Sequence, residues 1–176
     1  LRFLEKRKGI LDGVCISGGE PLLNPELAGF LRKIKALGYA VKLDTNGSSP
    51  EKLKQLVEED LLDYVAMDIK NSIRKYAETA GIRNLDLQGI QDSITYLKEG
   101  HIPYEFRTTI VKEFHSAQDI RDMTDWLEGA AAWYLQNFED SDHVIQRGLH
   151  AWDKETLKAY LEIARTKIPN TELRGI

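Results

Sequence analysis

Short apolar runs alternate along the chain with longer segments whose apolar residues recur every three or four positions. The short runs have the length and apolar content of strands covered on both faces, and the longer segments have the period of amphipathic helices. The predicted strands span residues 14–17, 40–46, 64–70, 104–111 and 131–138. This alternation predicts βαβ units, and therefore an α/β fold with a parallel sheet and outer helices.

The segments between these strands contain residues that typically begin or end helices. Helix starts are predicted at Asn24 with Pro25, at Ser49 with Pro50, at Ser116 with Asp119, and at Asp153. Gly38 and Gly100 are predicted to end two helices. Leu1 and Leu4 share one helical face, which is typical of the tail of a helix that begins earlier.

Composition narrows the class of protein. The chain has 176 residues, of which 42% are hydrophobic and 30% charged, which suits a single folded domain over residues 1–176. The net charge of −4 argues against a nucleic-acid partner, and no apolar run approaches the length of a membrane span. A single cysteine excludes an internal disulfide and favours a reducing, cytoplasmic location.

Polar or glycine-rich clusters follow the predicted strands. Their candidate binding residues are Gly18, Gly19, Glu20, Asp44, Asn46, Asp68, Lys70, Arg107 and Gln136. Paired glycines let the backbone approach a ligand, carboxylates accept from ammonium groups, and arginine binds a carboxylate through two hydrogen bonds. Because ligands of parallel α/β folds bind at the carboxyl ends of the strands, the clusters predict a cleft for a small zwitterionic ligand.

Each cluster taken alone has a simpler structural explanation. Residues 17–21 and 44–47 could be tight turns, and Asp68 could pair with Lys70. Only the joint placement of the clusters at successive strand ends favours binding. Cys15 is predicted to be a small core residue. The histidines show no metal-ligand spacing and are predicted to be surface or loop residues: His101, His115, His143 and His150.

The order of the clusters resembles that of a known family. Residues 16–21 (ISGGEP) resemble the GGE segment of radical S-adenosylmethionine (radical SAM) enzymes. Residues 44–47 (DTNG), residues 68–70 (DIK) and Arg107 follow in the order seen in activases of glycyl radical enzymes. The resemblance runs essentially end to end. It is closest to activating proteins of anaerobic ribonucleoside-triphosphate reductase, on segments 4–13, 148–150 and 172–176.

This resemblance implies a partial (β/α)6 barrel and a set of binding roles. Gly18, Gly19 and Glu20 would hold the methionine amino group of S-adenosylmethionine, and Asp44 would contact that group or the ribose. The carboxylate and ribose would be held by Asp68, Lys70 and Arg107, with weaker parts for Asn46 and Gln136. The implied reaction is reductive cleavage to a 5′-deoxyadenosyl radical, which takes hydrogen from a glycine of the partner reductase. A four-iron four-sulfur cluster, a reductant such as flavodoxin and a cytoplasmic location are also implied.

The chain departs from the family at the iron–sulfur cluster. The family binds this cluster through a CxxxCxxC loop after its first strand, and no such loop occurs in the sequence. Cys15 alone cannot hold a cluster that needs several cysteine ligands. We therefore expect a truncated core domain that lacks the first strand, is inactive alone and binds S-adenosylmethionine weakly or not detectably. An exposed sheet edge predicts dimerisation, swapping or poor solubility.

Two functions of other classes stay open. Lys70, on a strand beside acidic groups, suits a lyase that forms a Schiff base. Alternatively, a degenerate barrel without catalytic activity could bind a protein partner. Activases of different glycyl radical enzymes share the motifs above, so these motifs do not distinguish between partners.

Overall fold

The computed structural model describes residues 1–141, 144 and 146–175. These residues belong to two compact units, Leu1–Asp68 with Leu87–Tyr104, and Ile69–Asp86 with Glu105–Ile176. The assignment of residues 1–176 to a single domain stays a prediction. No helix in the described ranges is long and apolar enough to cross a membrane.

Strands and helices alternate along the described residues, as the sequence pattern predicts. The elements are α1 (Arg2–Glu5), β1 (Gly13–Ile16), α2 (Leu27–Ala36), β2 (Ala40–Thr45), α3 (Pro50–Glu58), β3 (Tyr64–Asp68), α4 (Tyr76–Ala80), α5 (Gln88–Lys98), β4 (Tyr104–Ile110), α6 (Ala117–Trp126), β5 (Trp133–Asn137), α7 (Lys154–Arg165) and β6 (Thr171–Arg174), with a short 3-10 helix at Pro21–Leu23. Within each unit the strands are parallel and follow the order of the chain. The predicted α/β fold with a parallel sheet is confirmed.

The sheet of the first unit has an apolar face and a polar face. β2 lies between β1 and β3. Val41 and Leu43 of β2 are fully buried, whereas Lys42 and Asp44 alternate with them on the opposite face and are half-buried. Helix α2 contacts β2 and adds Leu31, which is also fully buried. The charged groups therefore collect on the sheet face opposite to this core.

The second unit repeats this division. β5 lies between β4 and β6. Trp133 and Leu135 are fully buried, and the Trp133 indole N–H donates a hydrogen bond to the Thr108 hydroxyl at 3.0 Å. Tyr134 and Gln136 alternate with these residues and lie on the other face. In both units, strand alternation thus separates an apolar core from a polar sheet face.

The predicted strands are all present, and each boundary lies within two residues of the prediction. A further strand, β6, was not predicted. Its sequence, Thr-Glu-Leu-Arg, has only one apolar residue, so it carries no strand signal of its own. Pairing with β5 gives it its extended conformation.

Two of the predicted helix starts are confirmed by their hydrogen bonds, and one is wrong. Ser116 and Asp119 form the predicted capping box before α6. Asp153 caps α7. Helix α2, however, begins at Leu27 and not after Asn24, because the Asn24 carbonyl oxygen Oδ1 accepts a hydrogen bond from the backbone two residues later, at 2.9 Å. Asn24 thereby forms a local turn that precedes the helix.

Candidate functional site

One carboxylate joins two of the predicted clusters in the first unit. Oε1 of Glu20 accepts a hydrogen bond from the Thr45 hydroxyl at 2.7 Å, and Oε2 accepts one from the backbone N–H of Asn46, also at 2.7 Å. Oε1 also accepts from the N–H of Leu22 at 3.1 Å and so caps the 3-10 helix. Glu20 therefore fixes the turn after β1 to the end of β2.

The glycines of this turn leave open space above their backbone. A Cβ built on Gly18 or Gly19 would meet no atom of the described residues within 4 Å. Gly18 has a φ of +131°, a conformation that residues with side chains rarely adopt. A ligand can therefore approach the turn backbone closely, as a binding turn requires.

Two carboxylates share the polar face of the first unit. Asp44 lies opposite Ala66 in the register of β2 and β3, and Asp68 follows two residues later on β3, so both side chains leave the same sheet face. The ammonium group of Lys42 lies 3.6 Å from Oδ1 of Asp44 and 5.7 Å from the centre of the Tyr64 ring. The face is acidic overall and suits a cationic group such as an ammonium.

Polar groups of the loop itself and of α5 hold the loop after β2 in place. Oδ1 of Asn46 accepts a hydrogen bond from the N–H of Ser48 at 2.9 Å. The Ser93 hydroxyl, which is buried on α5, donates to the carbonyl of Gly47 at 2.7 Å. Asn46 thus shapes the loop through its side chain, and its contact with a ligand stays a prediction.

The polar face of the second unit carries a charged cluster that the sequence analysis missed. Arg174 donates hydrogen bonds to both carboxylate oxygens of the buried Glu105, at 3.1 and 3.0 Å. Its guanidinium lies 3.3 Å from the centre of the Tyr134 ring. Arg107 lies opposite Tyr134 in the register, and Gln136 lies opposite Arg174. The cluster therefore borders two of the residues predicted for this unit, Arg107 and Gln136.

The sequence contains a pattern from which part of this cluster could have been predicted. Glu105 precedes Arg107 by two residues, and Tyr134 precedes Gln136 by two, so strand alternation places each pair on one face. Arg174 had no such signal, because β6 itself was not predicted. The hydrogen bonds to Glu105 raise the pKa of Arg174 further above its usual value, so the guanidinium stays charged.

Lys70 is exposed just beyond β3, whereas its backbone is held on both sides. The N–H of the preceding Ile69 donates to the carbonyl of Arg107 at 2.8 Å. The carbonyl of Lys70 lies 2.9 Å from Nε2 of His115. His115 lies in the loop between β4 and α6, as predicted, but it is buried there, with only 2% of its surface exposed.

The predictions for the cysteine and the other histidines are confirmed only in part. Cys15 lies in β1, but it is exposed because it alternates with the half-buried Val14 and Ile16; its prediction as a core residue is therefore wrong. His101 and His150 are exposed, as predicted. His143 lies outside the described residues.

Residues 1–127, more than half of the chain, match the family model described as the radical SAM superfamily. The chain belongs to the radical SAM superfamily. The resemblance stated from the sequence motifs is thereby confirmed at the level of the family. This is a superfamily of enzymes that use S-adenosylmethionine and a four-iron four-sulfur cluster.

Two curated relatives are similar to this radical SAM chain over most of its length. A protein of Methanocaldococcus jannaschii, named as a candidate glycyl-radical enzyme activating enzyme, is 32% identical over 172 residues, which cover 94% of this chain and 71% of the relative. The 7-carboxy-7-deazaguanine synthase of Koribacter versatilis is 31% identical over 175 residues, which cover 88% of this chain and 75% of the relative.

Solved structures share the fold. A domain of the pyruvate-formate lyase-activating enzyme of Bacteroides vulgatus superimposes with a TM-score of 0.76 at 18% identity, covering 94% of this chain and all of that domain. SuiB of Streptococcus suis superimposes with a TM-score of 0.75 at 16% identity, covering 99% of this chain and 42% of SuiB. The predicted partial-barrel fold class is confirmed by these neighbours.

The iron–sulfur cluster of the radical SAM family does not fit the residues of this chain. The sequence contains one cysteine, and among the described residues no group of three or more His, Cys, Asp or Glu could hold a metal ion. The donor set does fit S-adenosylmethionine, since carboxylates suit its amino group and cationic side chains suit its carboxylate. The described residues thus carry the chemistry of a binding site without the cluster ligands.

Proposed function

We propose that this chain is the S-adenosylmethionine-binding part of an enzyme that activates a glycyl radical enzyme. The observation that carries this proposal is the 32% identity over 172 residues to the M. jannaschii relative, which is named for that activity. The proposed partner is anaerobic ribonucleoside-triphosphate reductase, which rests on the resemblance of segments 4–13, 148–150 and 172–176. The complete enzyme would use a reductant such as flavodoxin and act in the cytoplasm.

The first unit is proposed to bind the cationic end of the ligand. Gly18 and Gly19 offer open backbone, and Asp44 and Asp68 share an acidic sheet face. Asp44 would contact the ammonium group through a charge-assisted hydrogen bond, and Asp68, on the same face, would contact the ribose. Glu20 would contact the amino group through Oε2, which accepts one hydrogen bond from the described residues, whereas Oε1 accepts two.

The second unit is proposed to bind the anionic end. Arg107 lies on the polar face of β4. The exposed Lys70 directly follows Ile69, whose backbone N–H donates a hydrogen bond to the carbonyl of Arg107. The guanidinium of Arg107 and the ammonium group of Lys70 are suited to bind the carboxylate of the ligand and its ribose hydroxyls. Gln136, exposed on the neighbouring strand, would add an amide contact.

We further propose that residues 1–176 are inactive alone. Cleavage of S-adenosylmethionine in this family depends on the cluster, and the single cysteine of this sequence cannot hold it. Without the cluster, which normally ligates the methionine group, binding is expected to be weak. The Schiff-base alternative has no support in the structure, because a reactive lysine is desolvated and Lys70 is exposed.

Ligand-observed NMR with millimolar S-adenosylmethionine tests the binding roles. Weak binding to the unmodified chain is expected, and Asp68→Asn or Arg107→Gln should each weaken it about tenfold, because each removes a charge-assisted hydrogen bond. Arg121→Gln and Asp125→Asn, which change exposed charges on α6, are the matched controls and should bind as the unmodified chain does.

Equal binding by all four variants would show that the strand-end residues do not form the site. The partner is tested separately, by sedimentation of the chain with anaerobic ribonucleoside-triphosphate reductase and with pyruvate formate-lyase. Association with the second enzyme alone would contradict the choice of reductase and leave the activase proposal intact.

A further inference from the structure

A buried polar network fixes the segment that leaves β3 in the second unit. After Lys70, the fully buried Asn71 donates a hydrogen bond from Nδ2 to the carbonyl of Phe114 at 3.0 Å. Lys75 donates to Oδ2 of the fully buried Asp119 at 2.7 Å. Phe114 and Asp119 both follow β4, so the chain that leaves β3 is tied to the chain that leaves β4.

His115 forms the contact of this network nearest to the proposed binding residue. Its Nε2 lies 2.9 Å from the carbonyl of Lys70, and its Nδ1 lies 3.1 Å from the backbone N of Val111. A carbonyl only accepts, so Nε2 must carry a proton. Nδ1 also lies 3.2 Å from the carbonyl oxygen of Val111, so the contacts of Nδ1 do not fix its own protonation. The neutral imidazole with its proton on Nε2 donates to the Lys70 carbonyl and accepts from the N–H of Val111.

The surroundings of the ring agree with this neutral form. Burial lowers the pKa of His115, although hydrogen bonds to the carbonyls of Lys70 and Val111 and the charge of Asp119 act in the opposite direction. The backbone of His115 is held as well, because the indole N–H of Trp152 donates to its carbonyl at 3.2 Å. Ring and backbone are therefore both fixed, and the ring acts as a rigid bridge between Lys70 and Val111.

We propose that His115 is a positioning residue for Lys70, and that its Nε2–H holds the Lys70 backbone so that the ammonium group is directed to the ligand carboxylate. This inference rests on the proposed function, because Lys70 is assigned to the ligand there. A lysine side chain has four flexible carbons, so its placement depends on a fixed backbone. His115 itself does not contact the ligand.

The first test is a long-range nitrogen–proton NMR spectrum of the histidine rings in the unmodified chain. At neutral pH, the expected His115 pattern is that of a neutral ring with its proton on Nε2. A ring whose only proton is on Nδ1 would contradict the geometry on which the inference depends, because Nε2 could then not donate to the carbonyl of Lys70. This measurement needs no variant and therefore stays decisive even where a substitution unfolds the chain.

The second test is a double-mutant cycle with binding of S-adenosylmethionine as the readout. Lys70→Ala and His115→Phe should each weaken binding about tenfold, and the double variant should also lose about tenfold rather than about a hundredfold, because both changes remove the same contact. His115→Gln, which keeps an N–H donor, should restore binding to within about twofold of the unmodified chain. Urea unfolding confirms that each variant is folded.

The outcomes separate the inference from the proposed function. If Lys70→Ala binds as the unmodified chain does, the assignment of Lys70 to the ligand is wrong and the inference is wrong with it. If Lys70→Ala loses binding but His115→Phe does not, or if the two losses multiply, His115 has only a structural role. In that case the proposed binding function survives without the positioning residue.

Discussion

Two glycines in the strand-end turns are required for different physical reasons. Gly47 has a φ of +74°, and a Cβ at this position would lie only 2.0 Å from Cε of the buried Met67. Gly18 also has a positive φ, but the space around its missing side chain is open. The first glycine therefore serves packing as well as backbone conformation, whereas the second leaves room for a ligand.

Gly47→Ala should lower the free energy of unfolding by about 2–4 kcal/mol, because it combines a strained backbone with overpacking against Met67. Gly19→Ala is the matched control, since its Cβ would enter open space and should change stability by less than about 0.5 kcal/mol. Urea unfolding of the two variants provides the comparison. Similar stability of both variants would show that Met67 moves aside at little cost.

Residue type alone did not predict the exposure of Cys15 or the burial of His115. Cys15 and His115 were both assigned from residue type, but burial depends on neighbours that are remote in the sequence. Strand alternation places Cys15 on the sheet face opposite to that of the half-buried Val14 and Ile16. The ring of His115 contacts Lys70, which lies 45 positions earlier in the sequence. No local pattern around position 115 shows that contact.

At the scale of elements, local signals were sufficient wherever an element has its own pattern. The apolar runs gave the positions of β1 to β5, and the Ser116–Asp119 spacing gave the start of α6. The sequence did not predict β6 or α4, of four and five residues, because elements so short are formed by their tertiary contacts. The candidate site was predictable for the same reason as the strands, since its residues follow directly from strand ends.

Asp119 stabilises α6 and also ties it to the segment after β3, and its substitution gives a pH-dependent prediction. Burial by itself raises the pKa of Asp119, but hydrogen bonds from Lys75 and Ser116 lower it to about 2, below the usual value of 3.8. A folded-state pKa below the unfolded-state value means that the ionised carboxylate stabilises the fold above pH 3.8. That stability is lost as the pH falls from 3.8 towards about 2.

Asp119→Asn should therefore lower the free energy of unfolding by about 2 kcal/mol at neutral pH, and the difference from the unmodified chain should shrink below about pH 4. Asp122→Asn is the control, because Asp122 lies on the same helix and is more exposed than Asp119. It should lower the free energy of unfolding by less than about 0.5 kcal/mol. Urea titrations at neutral and acidic pH measure both variants. A difference that stays constant with pH would contradict the electrostatic explanation.

At the scale of the whole molecule, exposed apolar residues concentrate in the segment before β1. Phe3 is 63% exposed and Ile10 is 67% exposed, and β1 itself buries none of its residues. Among the described strands, β1 pairs with β2 alone, so one of its edges presents N–H and carbonyl groups to solvent. An apolar surface beside an open strand edge favours pairing with another chain.

We expect the chain to self-associate through this edge, with a sedimentation coefficient that rises with protein concentration. The double substitution Phe3→Lys and Ile10→Lys should shift the chain towards monomer, because charge beside a strand edge opposes edge-to-edge pairing. Ile73→Lys with Ile82→Lys replaces two exposed apolar residues of the second unit and serves as the matched control, which should associate as the unmodified chain does.

If the unmodified chain is monomeric at all concentrations, the β1 edge is protected by its own twist or shortness. If both double variants dissociate equally, association depends on general surface hydrophobicity rather than on β1.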